Sequence, residues 1–185
     1  MKEKTQRLAL TAIMLALASV LSMIKVFEMP LGGSVTLLSM LPIVLISIKY
    51  GIKWGIFTSI LYALIQIGLD IGSLMSWGLS IKMWIGSIIF DYIIAFGILG
   101  LAGLFRKKGL VGICSGIAMT LFIRFASHVF SGVIFFGIWC PEEWSNTFLY
   151  SICYNGAFML PELIFTMIGA VILFKTPQIK KIINS

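Results

Sequence analysis

The chain has 185 residues, of which 59% are hydrophobic and 11% charged, with a mean hydropathy of +1.06. So few polar side chains cannot clothe a water-soluble surface on a chain of this size, and the expected setting is a membrane. The excess of 14 Lys and Arg over 7 Asp and Glu is therefore a guide to topology and not a nucleic-acid signal.

A hydrocarbon core about 30 Å thick takes about 20 helical residues per crossing, which leaves room for up to about six spans. Met1 to Arg7 is a short basic head, and residues 8–27 predict a first span, broken by Pro30 and the Gly32-Gly33 pair. Lys2, Lys4 and Arg7 ahead of an apolar run with an Ala16-Leu17-Ala18 triplet also fit a cleavable signal peptide. The run continues well past that triplet, which favours a retained helix. Residues 35–48 predict a short second span, followed by a basic turn of Lys49, Tyr50, Gly51 and Lys53. The third, 54–69, ends at Asp70 and a glycine- and serine-containing stretch through Ser80. The fourth, 81–105, carries Asp91, and Arg106, Lys107, Lys108 and Gly109 turn the chain into the fifth, 110–137. A loop with Trp139, Pro141, Glu142, Glu143 and Trp144 leads to the sixth, 148–174, and Lys175, Lys180 and Lys181 make a basic tail. The expected fold class is all-α integral membrane: a six-transmembrane-helix bundle forming a single membrane domain over 1–185.

The head, the turns after spans two and four, and the tail hold 11 of the 14 basic residues, which predicts that both termini are cytoplasmic. Glu28, Asp70, Glu142 and Glu143 fall on the opposite side. Asp91, His128, Tyr150 and Asn155 then share the outer half of the bundle. Ionisable groups are costly at membrane depth and by default mark a functional site. A carboxylate at Asp91, the lone His128, the polar groups of Tyr92, Tyr150 and Asn155, and the rings of Phe130, Phe135, Phe136, Trp139 and Trp144 suit a flat organic cation. The same residues also fit plain structure: an interhelical Asp91–His128 pair, Arg124 paired with Glu162, and an ordinary aromatic belt.

No GxxxxGK[ST] phosphate loop is present, so transport driven by ATP would need separate ATPase subunits. HExxH and GxSxG are also missing, and one histidine with Cys114, Cys140 and Cys153 is a poor metal set, so no cofactor and no enzyme activity are expected. A Cys140–Cys153 bridge stays open.

The chain resembles the thiamine-specific substrate-binding components of energy-coupling-factor transporters. The resemblance rests on Met29-Pro30 with Gly32-Gly33-Ser34-Val35-Thr36-Leu37, on Ser39-Met40-Leu41-Pro42, and on Asp91-Tyr92 leading into Ala95-Phe96-Gly97. Arg124-Phe125, His128, Ser131-Gly132-Val133, Tyr150-Ser151 and Asn155-Gly156 carry it further. It implies a thiamine pocket in which Asp91 faces the cationic part of the ligand and Tyr92 and His128 orient it. Gly132 would let the ring approach the backbone, Phe136 would stack, and Tyr150 and Asn155 would bond the aminopyrimidine. Gly33, Ser34, Trp84, Trp139 and Trp144 are candidates for the pocket rim or lid, with Trp77 an alternative to Trp84. Phe136 stands where the family can carry a tryptophan, and Asp91 is one methylene shorter than the glutamate of some members. The resemblance also implies a module of a transmembrane coupling subunit and two ATPase subunits, contacted through Ala12 and Ala16 on the first helix. Other functions compatible with the residues are a binding component for another vitamin or heterocycle, a proton-coupled carrier, and an intramembrane enzyme using Asp91 and His128 as an acid-base pair.

Overall fold

A computed structural model describes residues 2–177. Helix α1 (Lys2–Met23) leads into strand β1 (Lys25–Glu28), a 3-10 turn (Pro30–Gly32) and strand β2 (Ser34–Thr36). There follow α2 (Leu41–Tyr50), α3 (Ile52–Ser76) and α4 (Ile81–Ser87), which runs on through a π-helical segment (Ile88–Ile94), α5 (Ala95–Gly97) and a 3-10 segment (Ile98–Lys108). Helix α6 (Gly109–Ile134) and α7 (Thr147–Lys175) complete the described chain. Among the described residues, four stretches are long and apolar enough to cross a membrane: Glu3–Met23, Ile52–Ser76, Ile81–Ile134 and Thr147–Lys175. The third is 54 residues long, over twice one crossing, and breaks where Phe105 leaves helical geometry and Gly109 takes a φ of 67°. Helix α2 has ten residues, about 15 Å of rise, and is shorter than a full crossing.

The structure shifts several expected boundaries. The first span, drawn to residue 27, stops at Met23, because Lys25-Val26-Phe27-Glu28, with β-branched and aromatic residues at its centre, leaves the helix and pairs antiparallel with β2. The second, drawn from residue 35, begins only at Leu41 with Pro42 in its first turn, where the missing N–H costs nothing. Asp70, expected to close the third span, lies inside α3, which continues through Gly72 and Ser73 to Ser76 and ends before Gly78 at φ 61°. The fourth reaches Lys108 and the fifth stops at Ile134. Lys180 and Lys181 of the basic tail lie outside the described residues. Cys114, Cys140 and Cys153 are free thiols, so the Cys140–Cys153 bridge is not formed.

Small residues let the helices approach closely, as expected where lipid supplies no hydrophobic drive between them. Ser47 of α2 donates to the carbonyl of Gly100 (2.5 Å) and accepts from the Gly103 N–H (3.0 Å). A methyl group at Gly55 would lie 2.6 Å from that same Gly100 carbonyl, so α2, α3 and the segment Ile98–Lys108 are locked backbone to backbone. Arg106 closes the same end by donating to the carbonyls of Ile48 (3.1 Å) and Lys49 (3.0 Å). The buried centre gathers Val44, Tyr62, Leu99, Ile117, Leu121 and Met159.

Candidate functional site

Above that centre, α3, the π-helical segment, α6, α7 and the hairpin enclose a cavity of about 170 Å³. One water needs only about 10–15 Å³ of such space, so the cavity admits an organic molecule. Its walls are stripes of residues spaced four apart, which lie one above another on a helix face. Helix α3 contributes Tyr62, Gln66 and Asp70, and α6 contributes Arg124, His128 and Gly132. Helix α7 contributes Tyr150, Tyr154, Phe158 and Glu162, with Ser151 and Asn155 beside them.

Asp91 lies in the π-helical segment, an irregularity that re-aims side chains and is frequent at functional sites. Its carboxylate accepts from His128 Nδ1 (2.9 Å) and from Ser131 Oγ (2.5 Å). Nδ1 must be the protonated nitrogen to meet a carboxylate, which makes Nε2 of the neutral ring an acceptor. Nε2 has no partner among the described residues, and the ring lies edge-on to Phe158 at 5.7 Å. Tyr92 donates to Asp70 Oδ2 (3.0 Å), so a second carboxylate is held at the cavity wall by a hydroxyl from the neighbouring segment. Gly132 faces Ser151 so closely that a methyl group there would collide with its hydroxyl. Ser151 is itself fixed by donating to the Val129 carbonyl (2.9 Å) and accepting from Asn155 Nδ2 (3.2 Å).

The expected pairing of Arg124 with Glu162 is not made. Arg124 instead lies 3.9 Å over the ring of Phe96, a cation–π contact, and its Nε and Nη1 have no partner among the described residues. Glu162 Oε1 accepts from the Thr36 N–H (2.5 Å) and hydroxyl (2.6 Å), tying β2 to α7. Glu162 Oε2 and Gln66 Nε2 are likewise unpartnered among the described residues. Buried polar atoms without partners cost about 1–3 kcal/mol each, and here they line a cavity where a ligand can meet them.

The hairpin covers one side. Tyr154 donates its hydroxyl to the Pro30 carbonyl and accepts from the Gly33 N–H (3.4 Å), and a methyl group on Gly32 would lie 2.5 Å from the Trp77 ring. Gly32 needs its freedom twice over, for that approach and for a φ of 93°.

All seven residues singled out for ligand contact, Asp91, Tyr92, His128, Gly132, Phe136, Tyr150 and Asn155, border this one cavity, as do Gly33 and Ser34. Trp84, Trp139 and Trp144 do not. Trp139 sits behind Phe136 (ring centroids 5.5 Å apart) and Trp144 against Tyr150 (5.4 Å), so both back the wall without forming it. The aromatic wall falls to Trp77, edge-on to Phe136 at 6.4 Å. Phe130 and Phe135 pack on Phe90, away from the cavity. Sequence reasoning misses Gln66, Tyr154 and Phe158, although the four-residue spacing from Asp70 and Tyr150 points to them. Ala12 and Ala16 are exposed on α1.

A family model described as "Thiamine transporter protein" matches residues 8–182. The chain is 35% identical, over a 190-residue alignment covering 95% of it and 94% of the relative, to the thiamine transporter ThiT of Bacillus subtilis (strain 168). A solved structure of ThiT from Listeria monocytogenes superposes with a TM-score of 0.76 at 25% identity, covering 96% of this chain and 98% of that one.

Proposed function

The chain belongs to the thiamine transporter protein family, and from that premise we propose that it is the substrate-binding subunit of an energy-coupling-factor uptake system for thiamine. It is a multi-pass cell-membrane transport protein and not an enzyme. In the proposed arrangement one membrane domain makes six crossings, with α2 as the short second and the break at 105–109 separating the fourth from the fifth. Both termini are cytoplasmic and the cavity opens to the outside.

The observation that carries the reading is the Asp91 carboxylate, fixed by His128 and Ser131 in a cavity walled by aromatic rings. Asp70, Asp91 and Glu162 outnumber the cations Lys25 and Arg124 around the same space, which suits a cationic ligand. Asp91 takes the cationic ring, with Tyr92 and His128 orienting it. Phe136 stacks, with a weaker cation face than a tryptophan would offer. Tyr150 and Asn155 bond the aminopyrimidine edge, and Gly132 makes room for it. The hairpin, with Gly33 and Ser34, closes over the bound molecule. Release inward is driven by a partner module of one coupling subunit and two ATPase subunits, and the exposed Ala12 and Ala16 of α1 are the proposed contact with it, because small residues permit close helix approach.

Equilibrium binding of thiamine to the purified chain in detergent tests this. Tight binding weakened by both Asp91→Asn and His128→Ala is the expected result. Folded protein that binds no thiamine overturns the substrate, and a panel of other heterocyclic vitamins then identifies the ligand.

A further inference from the structure

Two side chains of the cavity that can either donate or accept a hydrogen bond each face a carboxylate. Asp91 takes the Nδ1 proton of His128 and leaves Nε2 to accept. Asp70 of α3 acts in the same way on Tyr92, whose hydroxyl donates to Oδ2 at 3.0 Å. We propose that Asp70 is a positioning residue for ligand selection: it holds the Tyr92 proton away from the ligand, so that the phenolic oxygen accepts from an alcohol O–H and disfavours an ether in its place. The inference rests on the reading of the chain as a thiamine-binding subunit, and it concerns the hydroxyethyl arm carried by the cationic ring of thiamine.

The fixed ring of Tyr92 gives the first reason. A phenolic O–H lies close to the plane of its ring, which leaves it only two directions. The ring itself cannot turn to offer others, since Tyr92 is 8% exposed and packs on Phe96 (centroids 6.2 Å apart), which Tyr62 in turn holds edge-on at 5.2 Å. One of the two directions leads to Asp70. A carboxylate has no proton to give back, and a hydrogen bond to a charged acceptor is roughly twice as strong as a neutral one, so the proton stays on that side.

The surroundings give the second. Tyr92 directly follows Asp91, the proposed seat of the cationic ring, and both border the cavity, so the Tyr92 oxygen is near whatever that ring carries. Gln66 stands one turn before Asp70 on the same face of α3, and its Nε2 is buried with no partner among the described residues. An alcohol can donate to Tyr92 and still accept from Gln66. An ether can accept from Gln66 but sets its oxygen against that of Tyr92, and a buried acceptor left without a donor weakens binding.

The test compares thiamine with its O-methyl ether, which keeps the charge and loses the donor, by titration calorimetry on the purified full chain and on its Asp70→Asn and Asp70→Ala variants. The parent should bind thiamine at least about tenfold more tightly than the ether. In Asp70→Asn the amide can turn to donate to Tyr92 and free its proton for the ether oxygen, which should shrink that ratio about fivefold. Asp70→Ala removes the acceptor altogether and should shrink the ratio as well, so that either variant decides. Lost charge or lost packing weakens both ligands together and leaves the ratio alone, because the ligands share one charge and the added methyl group is the same in every measurement. Equal affinity of the parent for the two ligands overturns the proposal, as does a ratio unchanged in whichever variants fold. A parent that binds neither ligand overturns the thiamine reading and this inference with it, whereas tight thiamine binding with an unchanged ratio overturns this inference alone.

Discussion

Replacing Asp91 by asparagine separates a ligand-binding carboxylate from a structural one. The new amide keeps an oxygen to accept from His128 Nδ1–H, and its NH2 can donate to Ser131 Oγ after that hydroxyl turns, so both contacts survive as neutral hydrogen bonds. Charged hydrogen bonds are roughly twice as strong as neutral ones, which puts the loss to folding near 1 kcal/mol and the fall in Tm near 2–4 °C for a chain of this size. A cationic ligand loses far more. A unit charge about 4 Å from the carboxylate gains about 4 kcal/mol at an effective dielectric of 20. Part of that offsets desolvation of a carboxylate whose side chain is only 18% exposed, leaving about 2–3 kcal/mol. Affinity should therefore fall roughly 30- to 150-fold. Titration calorimetry with thiamine and a thermal melt of the unliganded protein read the two quantities separately. Less than a threefold loss of affinity, with a Tm within a few degrees of the parent, would refute the assignment. A Tm lowered by more than about 10 °C would mark the Asp91–His128 pair as mainly structural.

Gly132→Ala sets a methyl group against Ser151, which is itself held by Val129 and Asn155, so ligand affinity should drop at least tenfold by the same calorimetry. Trp77 is the one tryptophan bordering the cavity, so Trp77→Phe should remove most of the ligand-induced change in intrinsic fluorescence, while Trp139→Phe should leave most of it. Glu162→Ala strands the Thr36 N–H, loosening the hairpin from α7: amide exchange at residues 34–36 should accelerate and ligand dissociation, followed by stopped flow, should quicken about tenfold or more.

The membrane setting, the approximate positions of the helices and the seven residues that the structure gathers around one cavity were legible in the chain. Hydrophobic runs are local: each span declares itself by the cost of exposing a peptide group to lipid, whatever its neighbours do. Stripes such as Arg124-His128-Gly132 can be read in the same way, because a four-residue spacing fixes which side chains share a helix face. Tyr62-Gln66-Asp70 carries the same signal, but the glycine and serines after Asp70 make that end of α3 read as a loop, whereas only Gly78 at positive φ stops it. What the sequence alone could not decide were the pairings between distant segments. The hairpin exists because β1 finds β2, and its place over the cavity depends on Tyr154 and Glu162, more than 120 residues further along the chain. Arg124 and Glu162 read as natural partners, yet Thr36 supplies two donors to Glu162 and Phe96 offers Arg124 a ring face. Which polar group meets which is settled by packing geometry, since inside a membrane each buried charge takes the best-placed partner that the assembled helices bring within reach.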